Sequence, residues 1–199
     1  MDILKIIKER KSIRKYQDKP IPKEIINKII EAGIWGPSVP SFLKIQPFKF
    51  VVVTKKEIIA KISSLLEKKS LKVSVAAKIL LKGASNIINA VPVVVFVYKT
   101  KDLENSQHKF KEVYLSLKKV VKTAQISAIS AAIQNMILTA EKLGVGSCWL
   151  DIPLFCEQNI NKVLNNNNKL IAVLTLGYPA EKGKRSPRKP YEEAVEFIT

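Results

Sequence analysis

From Val120 to Leu143 no proline or glycine interrupts the chain, and Ala124, Ala128, Ala131, Ala132 and Ala140 stand among Ile, Met and Leu. Apolar residues at this spacing and over this length predict one long, mostly buried helix. Its alanines permit close approach of a second helix. Gly144 follows as the stop. A second constraint is the continuous apolar run Val91–Tyr98, which reads as a strand buried on both faces. It contains Pro92 and is far too short to cross a bilayer. Any fold for this chain must bury both segments together.

The remaining elements fall on either side. Asp2–Glu9 places Ile3, Leu4, Ile6 and Ile7 on one face of a short helix, with Asp2 as N-cap. Pro22 opens a helix through about Ala32, burying Ile25, Ile26, Ile29 and Ile30. Pro37–Pro47 is a loop, and Phe48–Thr54 (FKFVVVT) a strand. Helical patterns cover Lys56–Lys68, Val73–Asn89 and Phe155–Leu164; Ser147–Leu150 and Leu170–Gly177 read as strands. Thr100–Lys119 is polar and reads as an excursion or lid. No repeat or linker divides the chain, and its 199 residues suit one domain over 1–199. Helices and strands are mixed without regular βαβ alternation, so the expected class is α+β.

Composition narrows the chemistry. Two cysteines and one histidine make a zinc site or disulfide framework improbable. Met1–Arg10 carries charges among its apolar residues, unlike a secretory leader, and the expected compartment is the cytoplasm. The net charge of +17 is mostly lysine, 30 of the 34 basic residues, and it is spread along the chain. That favours a solvated lysine surface over a nucleic-acid face.

Against this background the arginines stand out: Arg10, Arg14, Arg185 and Arg188, with none between. Arginine's planar fork grips phosphate in a two-pronged way that lysine cannot copy. If the two clusters meet in space, they form one anion site. No GxGxxG or P-loop is present. His108 reads as a surface residue, Cys148 as a buried thiol, and no carboxylate pair is placed for acid–base work. An anion socket with few catalytic side chains suits an enzyme whose chemistry belongs to a cofactor.

Four stretches in order, "RKSIRKY", "WGPSVPSFLKIQPFKFVVV", "AAIQNMILTAEKLGVGSCWL" and "LGYPAEKGKRSPRKPYEEAV", resemble the motifs of the FMN-dependent nitroreductases over nearly the whole chain. The resemblance implies an α+β, nitroreductase-like fold with a central, mostly antiparallel sheet flanked by helices. It also implies a homodimer with FMN at the subunit interface and NAD(P)H as electron donor. Arg10, Lys11, Ser12 and Arg14 would contact FMN, Arg14 near the pyrimidine edge. Arg188, with Arg185 or Lys189, would hold the phosphate. Ser38 and Ser41 would come from the Pro-Ser loop with Gln46 beside it. Backbone groups of Cys148, Trp149, Leu150 and Asp151 would approach the ring near N5.

The implied activity is hydride transfer through the flavin to a nitroaromatic, quinone or similar acceptor, in ping-pong order. Two departures accompany it: Lys44 and Ile45 stand where the family loop carries Asn, and Asp151 where many members have glycine. Reductive dehalogenation and flavin breakdown use the same fold and are alternatives. A non-catalytic nucleic-acid module is the rival from another class. It would need arginines and aromatics gathered on an open face. Aromatics make up only 7% of the chain and mostly sit within apolar patterns.

Overall fold

The computed structural model describes residues 2–38, 45–102 and 111–198, without the side chains of 111, 113 and 114. Four strands, β1 (Phe48–Val53), β2 (Val93–Lys99), β3 (Gly146–Leu150) and β4 (Lys169–Gly177), form one sheet in the order β1-β2-β4-β3. Every neighbouring pair is antiparallel. The helices are α1 (Ile3–Glu9), α2 (Lys23–Ile34), α3 (Lys56–Ser70), α4 (Val75–Asn89), α5 (Lys111–Ser116), α6 (Lys118–Lys142), α7 (Glu157–Leu164) and α8 (Tyr191–Ala194). The α+β expectation holds, with an antiparallel sheet flanked by helices.

The sheet is covered on both faces, which explains the unbroken apolar run of β2. Val93, Val95 and Val97 face a core shared with α2 and α6, including Ile29, Ile133 and Met136. Val94, Phe96 and Tyr98 face a second core built with α3, α4 and α7, including Ile62, Leu81 and Ile160. Each fully buried Val, Leu, Ile or Phe contributes about 1.5–3 kcal/mol of transfer free energy. The strand therefore ties two cores into one unit.

The alanines of α6 meet α2, as their size allows. A Cβ on Gly36 would lie 2.7 Å from Ala132 Cβ, and one on Gly33 2.8 Å from Met136 Cγ. This contact carries α2 on to Ile34, two residues past the expected end, because Gly33 is needed inside the helix. Ile26 and Ile29 are buried as expected, whereas Ile25 and Ile30 are only half-buried.

Other boundaries shift modestly. Asp2 accepts a hydrogen bond from the Leu4 amide, as an N-cap should, and Gly144 takes a positive φ of 72° after α6. Helix α4 starts at Val75, not Val73. The expected helix from Phe155 divides: Ile152–Cys156 is a 3₁₀ turn with a proline in its first positions, and the α-helix begins at Glu157. Within the Thr100–Lys119 excursion, 103–110 and hence His108 lie outside the described residues, and α5 follows. No helix among the described residues is long and apolar enough to cross a membrane.

Candidate functional site

The residues after α1 run extended, so their side chains alternate. Ile13 is the inward one. It is buried, with its Cβ and Cγ1 2.9 Å from where a Cβ on Gly146 would sit and its Cδ1 2.9 Å from one on Gly183. Gly183 also has a positive φ of 63°. Two glycines thus admit the Ile13 side chain, and the alternation turns Ser12 and Arg14 the other way.

Backbone hydrogen bonds stitch this segment on two sides. Ser12 forms isolated bridges with Ser147 of β3 and with Lys184. The Ile13 amide donates to Ser147 O at 2.9 Å, the Gln17 amide to Tyr178 O at 2.8 Å, and the Ala180 amide to Lys15 O at 2.9 Å. The Arg14 amide donates to Glu181 Oε1 at 2.8 Å. Arg185 donates through its guanidinium to the Lys8 carbonyl at the end of α1. The two clusters meet along the backbone: Lys184, next to Arg185, bridges Ser12, and Arg14 Nη1 lies 3.5 Å from Ser12 O. Arg188 is placed differently, donating to Ser186 O and Pro187 O of its own exposed segment. Lys189 is exposed beside it.

Beneath the seam lies a residue that pattern reading missed. The Tyr16 hydroxyl lies 2.5 Å from Ile13 O and 2.7 Å from Thr175 Oγ1, and Thr175 Oγ1 lies 3.3 Å from Cys148 O. The Tyr16 hydroxyl donates to Ile13 O, and Thr175 shares its single proton between the Tyr16 oxygen and Cys148 O. The Tyr16 ring needs Gly177, since a Cβ there would sit 2.6 Å from Tyr16 Cδ1. Burial pushes the Tyr16 phenol well above its ordinary pKa, so it stays a proton donor. The period-two run Ser12, Arg14, Tyr16 within "RKSIRKY" was the available signal.

The Cys148 thiol is buried, and burial raises its pKa although Arg14 and Arg10 pull it down. The buried-thiol reading holds. The Trp149 indole N–H donates to Asp151 Oδ1 at 2.7 Å, and Leu150 ends β3 opposite Val173. Gln46 spends its amide nitrogen on Ile34 O at 2.6 Å and Gly36 O at 3.2 Å, tying the loop to the end of α2. Ser38 is half-buried just past that end. Ser41 and Lys44 lie outside the described residues.

The side of the seam marked by Lys11 and Ile13 opens on a small cleft of about 160 Å³, where Glu9, Glu141 and Glu181 accompany Lys11 and Lys182. Burial raises the Glu141 pKa, opposed by Arg10 and Lys11 and reinforced by Glu9. Three carboxylates make this side a poor seat for an anion. The Ser12–Arg14 side, with guanidinium and hydroxyl donors, fits a phosphate monoester. Among the described residues no group of His, Cys, Asp and Glu is placed to hold a metal ion.

A profile of the nitroreductase family matches residues 7–178. The chain belongs to the nitroreductase family. A relative from Methanothermobacter thermautotrophicus, "Putative NADH dehydrogenase/NAD(P)H nitroreductase", is 31% identical over 91% of this chain and 79% of its own length. Among solved structures, a BluB-like flavoprotein from Clostridium difficile 630 matches with TM-score 0.84 and 28% identity, over 100% of both chains. A nitroreductase from Desulfovibrio desulfuricans, solved in complex with FMN, shares the fold at TM-score 0.72 and 24% identity, over 100% of this chain and 98% of that one. The nitroreductase-like fold expected from the four motifs is therefore the fold found, and the family is one of oxidoreductases.

Proposed function

We propose that this nitroreductase-family chain is an NAD(P)H-dependent FMN oxidoreductase that reduces nitroaromatic, quinone or similar acceptors in ping-pong order. The observation that carries this reading is the meeting of the Ser12–Arg14 segment with Lys184 and Arg185 beside the β3 strand that leads to Asp151. FMN, when bound, supplies the two-electron carrier between donor and acceptor. Arg10, Ser12 and Arg185 bind its phosphate end, with Arg188 and Lys189 joining from the exposed tail, while Lys11 faces Glu9, Glu141 and Glu181 and balances their charge. Arg14 offers positive charge to the pyrimidine edge, and backbone groups of Cys148–Asp151 orient the ring.

The protein's part is positioning and electrostatics rather than proton transfer. Tyr16 and Cys148 both hold their protons more tightly than usual, so neither changes charge near neutral pH.

A homodimer completes the reading. Ile3, Leu4 and Ile7 on α1 are 58%, 57% and 46% exposed, and Phe197 and Ile198 on the tail 75% and 94%. Apolar surface of this kind, at both ends of the seam, fits burial against a second copy. The deciding experiment is optical. Purified protein should be yellow, and anaerobic NAD(P)H should bleach the flavin band, with acceptor panels then ranking nitro, quinone, enone and halogenated compounds. A colourless protein that added FMN does not restore would refute the proposal.

A further inference from the structure

We propose that the outer face of α4, with the turn that precedes it, seats the chain on the surface of an anionic lipid bilayer. Helix α4 is apolar on two sides. Leu81, Ala84, Ser85 and Ile88 are buried against the body of the protein. At about 100° per residue, Val75, Ala76, Ile79, Leu80, Gly83 and Ile87 fall on the other side, within an arc of roughly 140°. A helix apolar all round belongs inside a protein or against a second apolar phase. Here Leu71, Val75, Ile79 and Leu80 are between 54% and 76% exposed. A Cβ on Gly83 would meet nothing within 4 Å, so the middle of the arc is open as well. Single exposed hydrophobics are ordinary on a protein surface, but four large ones between Leu71 and Leu80 form a patch.

The charge around the arc has one sign. Lys68, Lys69, Lys72, Lys78 and Lys82 are all exposed, and from Lys68 to Asn89 the sequence holds no Asp or Glu. Lys78 and Lys82 border the arc on the side of Val75, and the other three stand around the turn at its end. The nearest acid in sequence is Glu67, in the last turn of α3. The 3₁₀ turn Ile152–Cys156 packs against both α3 and α4, carries no charged residue and leaves Phe155 exposed. Elsewhere lysines are mixed with acids, as on α2, where Glu24 and Glu31 accompany Lys23 and Lys28.

Charge and shape select the occupant. Two copies meeting through this arc would set Lys78 and Lys82 against their counterparts, and like charges facing across an interface are costly. A small molecule needs a concave seat, which the outside of a helix does not offer. An acidic protein would have to supply a groove shaped to the arc. A bilayer surface meets every feature without such matching. The apolar side chains sink into the headgroup boundary, and the lysine stems lie along it with their ammonium groups among the lipid phosphates. With 15 residues α4 lies on the surface and does not span it. The face is across the sheet from α2 and α6, and the inference holds whether or not the flavin reading does.

Flotation tests this, with the protein as purified and vesicles of phosphatidylcholine carrying about 30% phosphatidylglycerol or none. At about 0.15 M salt the protein should float with the anionic vesicles and stay behind with the neutral ones. Because the whole chain is cationic, the deciding variant alters no charge: Ile79→Ser with Leu80→Ser should weaken binding roughly ten- to a hundredfold. Both side chains are exposed, so the melting temperature should not move. Lys72→Gln with Lys78→Gln should weaken binding about tenfold. Lys23→Gln with Lys28→Gln, on the other side of the sheet, should stay within about twofold of the parent, since salt screens distant charges. Three results would each overturn the seat. Flotation of the Ile79→Ser, Leu80→Ser variant like the parent would reduce it to general cationic adhesion. Failure to float with anionic vesicles would leave an acidic protein as the occupant. Concentration-dependent sedimentation that this variant abolishes would give the face to a second copy.

Discussion

Segments Arg10–Gln17 and Lys182–Ile198 both bring arginine to the candidate phosphate site, but they are held in opposite ways. The first is hydrogen-bonded to Ser147, Tyr178 and Glu181, anchored by buried Ile13, and braced from below by Tyr16. The second touches the body through Lys184 and Arg185 and is exposed from Arg185 onward. Arg188 even spends its guanidinium on the neighbouring Ser186 and Pro187 carbonyls. One arm is preorganised and the other must be ordered by what it meets. Preorganised contacts lose less conformational entropy on binding, so they return more of their interaction as affinity.

The largest effect should come from breaking the braced arm at its base. Gly177→Val would drive a branched side chain into the Tyr16 ring, already 2.6 Å from a hypothetical Cβ. A loss of about 3 kcal/mol is expected, at the upper end of overpacking costs. Chemical unfolding of the variant measures it; a loss under about 1 kcal/mol would mean that the brace is loose.

Next come the arginines themselves. Arg10→Ala should weaken FMN binding roughly a hundredfold and Arg188→Ala roughly tenfold, or about 2.7 and 1.4 kcal/mol. Excess FMN should restore turnover in both, and equal losses would erase the distinction between the arms. Tyr16→Phe keeps the ring and removes the hydroxyl from Ile13 O and Thr175. It should cost about 1 kcal/mol in stability and weaken FMN binding severalfold, measured by flavin fluorescence on titration.

The smallest effect concerns Glu141. Burial holds its carboxyl above the ordinary range, so the folded state favours the protonated form. That contribution is complete below the unfolded pKa and disappears as pH rises through the raised one. Glu141→Gln should therefore flatten this part of the pH–stability curve. It should also gain less than about 0.5 kcal/mol at neutral pH, solvent screening limiting the term. A steeper curve in the variant would contradict the sign.

The elements were legible where periodicity decides. The alanine-rich run of α6, the all-apolar β2 and the helix begun at Pro22 announce themselves through spacing alone. The two arginine clusters were legible by contrast with lysine, and their meeting followed once the chain closed. The Tyr16–Thr175–Cys148 chain was not legible, because the period-two run puts Tyr16 on one face of its segment but its partners lie far away in sequence. The same holds for Glu181, which binds a backbone amide across a separation of 167 residues. Gln46 was placed near the site, yet its side chain works as a tether for α2. Gly177 read only as a strand end, whereas it, Gly33 and Gly36 each mark a close approach of two surfaces.

The seam at Ser12 also dictates the order in which this protein can be made. Arg185 reaches back 177 residues to Lys8, and Ser12 is flanked by Ser147 on one side and Lys184 on the other. A ribosome delivers Lys8 well before Arg185, with a separation of 177 residues between them. At about 5–20 residues per second the early arm waits on the order of ten seconds for its second flank. The two cores can condense in that interval, since their helices and strands precede Tyr178. The anion grip cannot, because loop closure over so many residues comes only after the cores have drawn the ends together. If the seam holds the cofactor as proposed, its capture is a late event, and a nascent product halted before Lys184 would lack one flank of the grip.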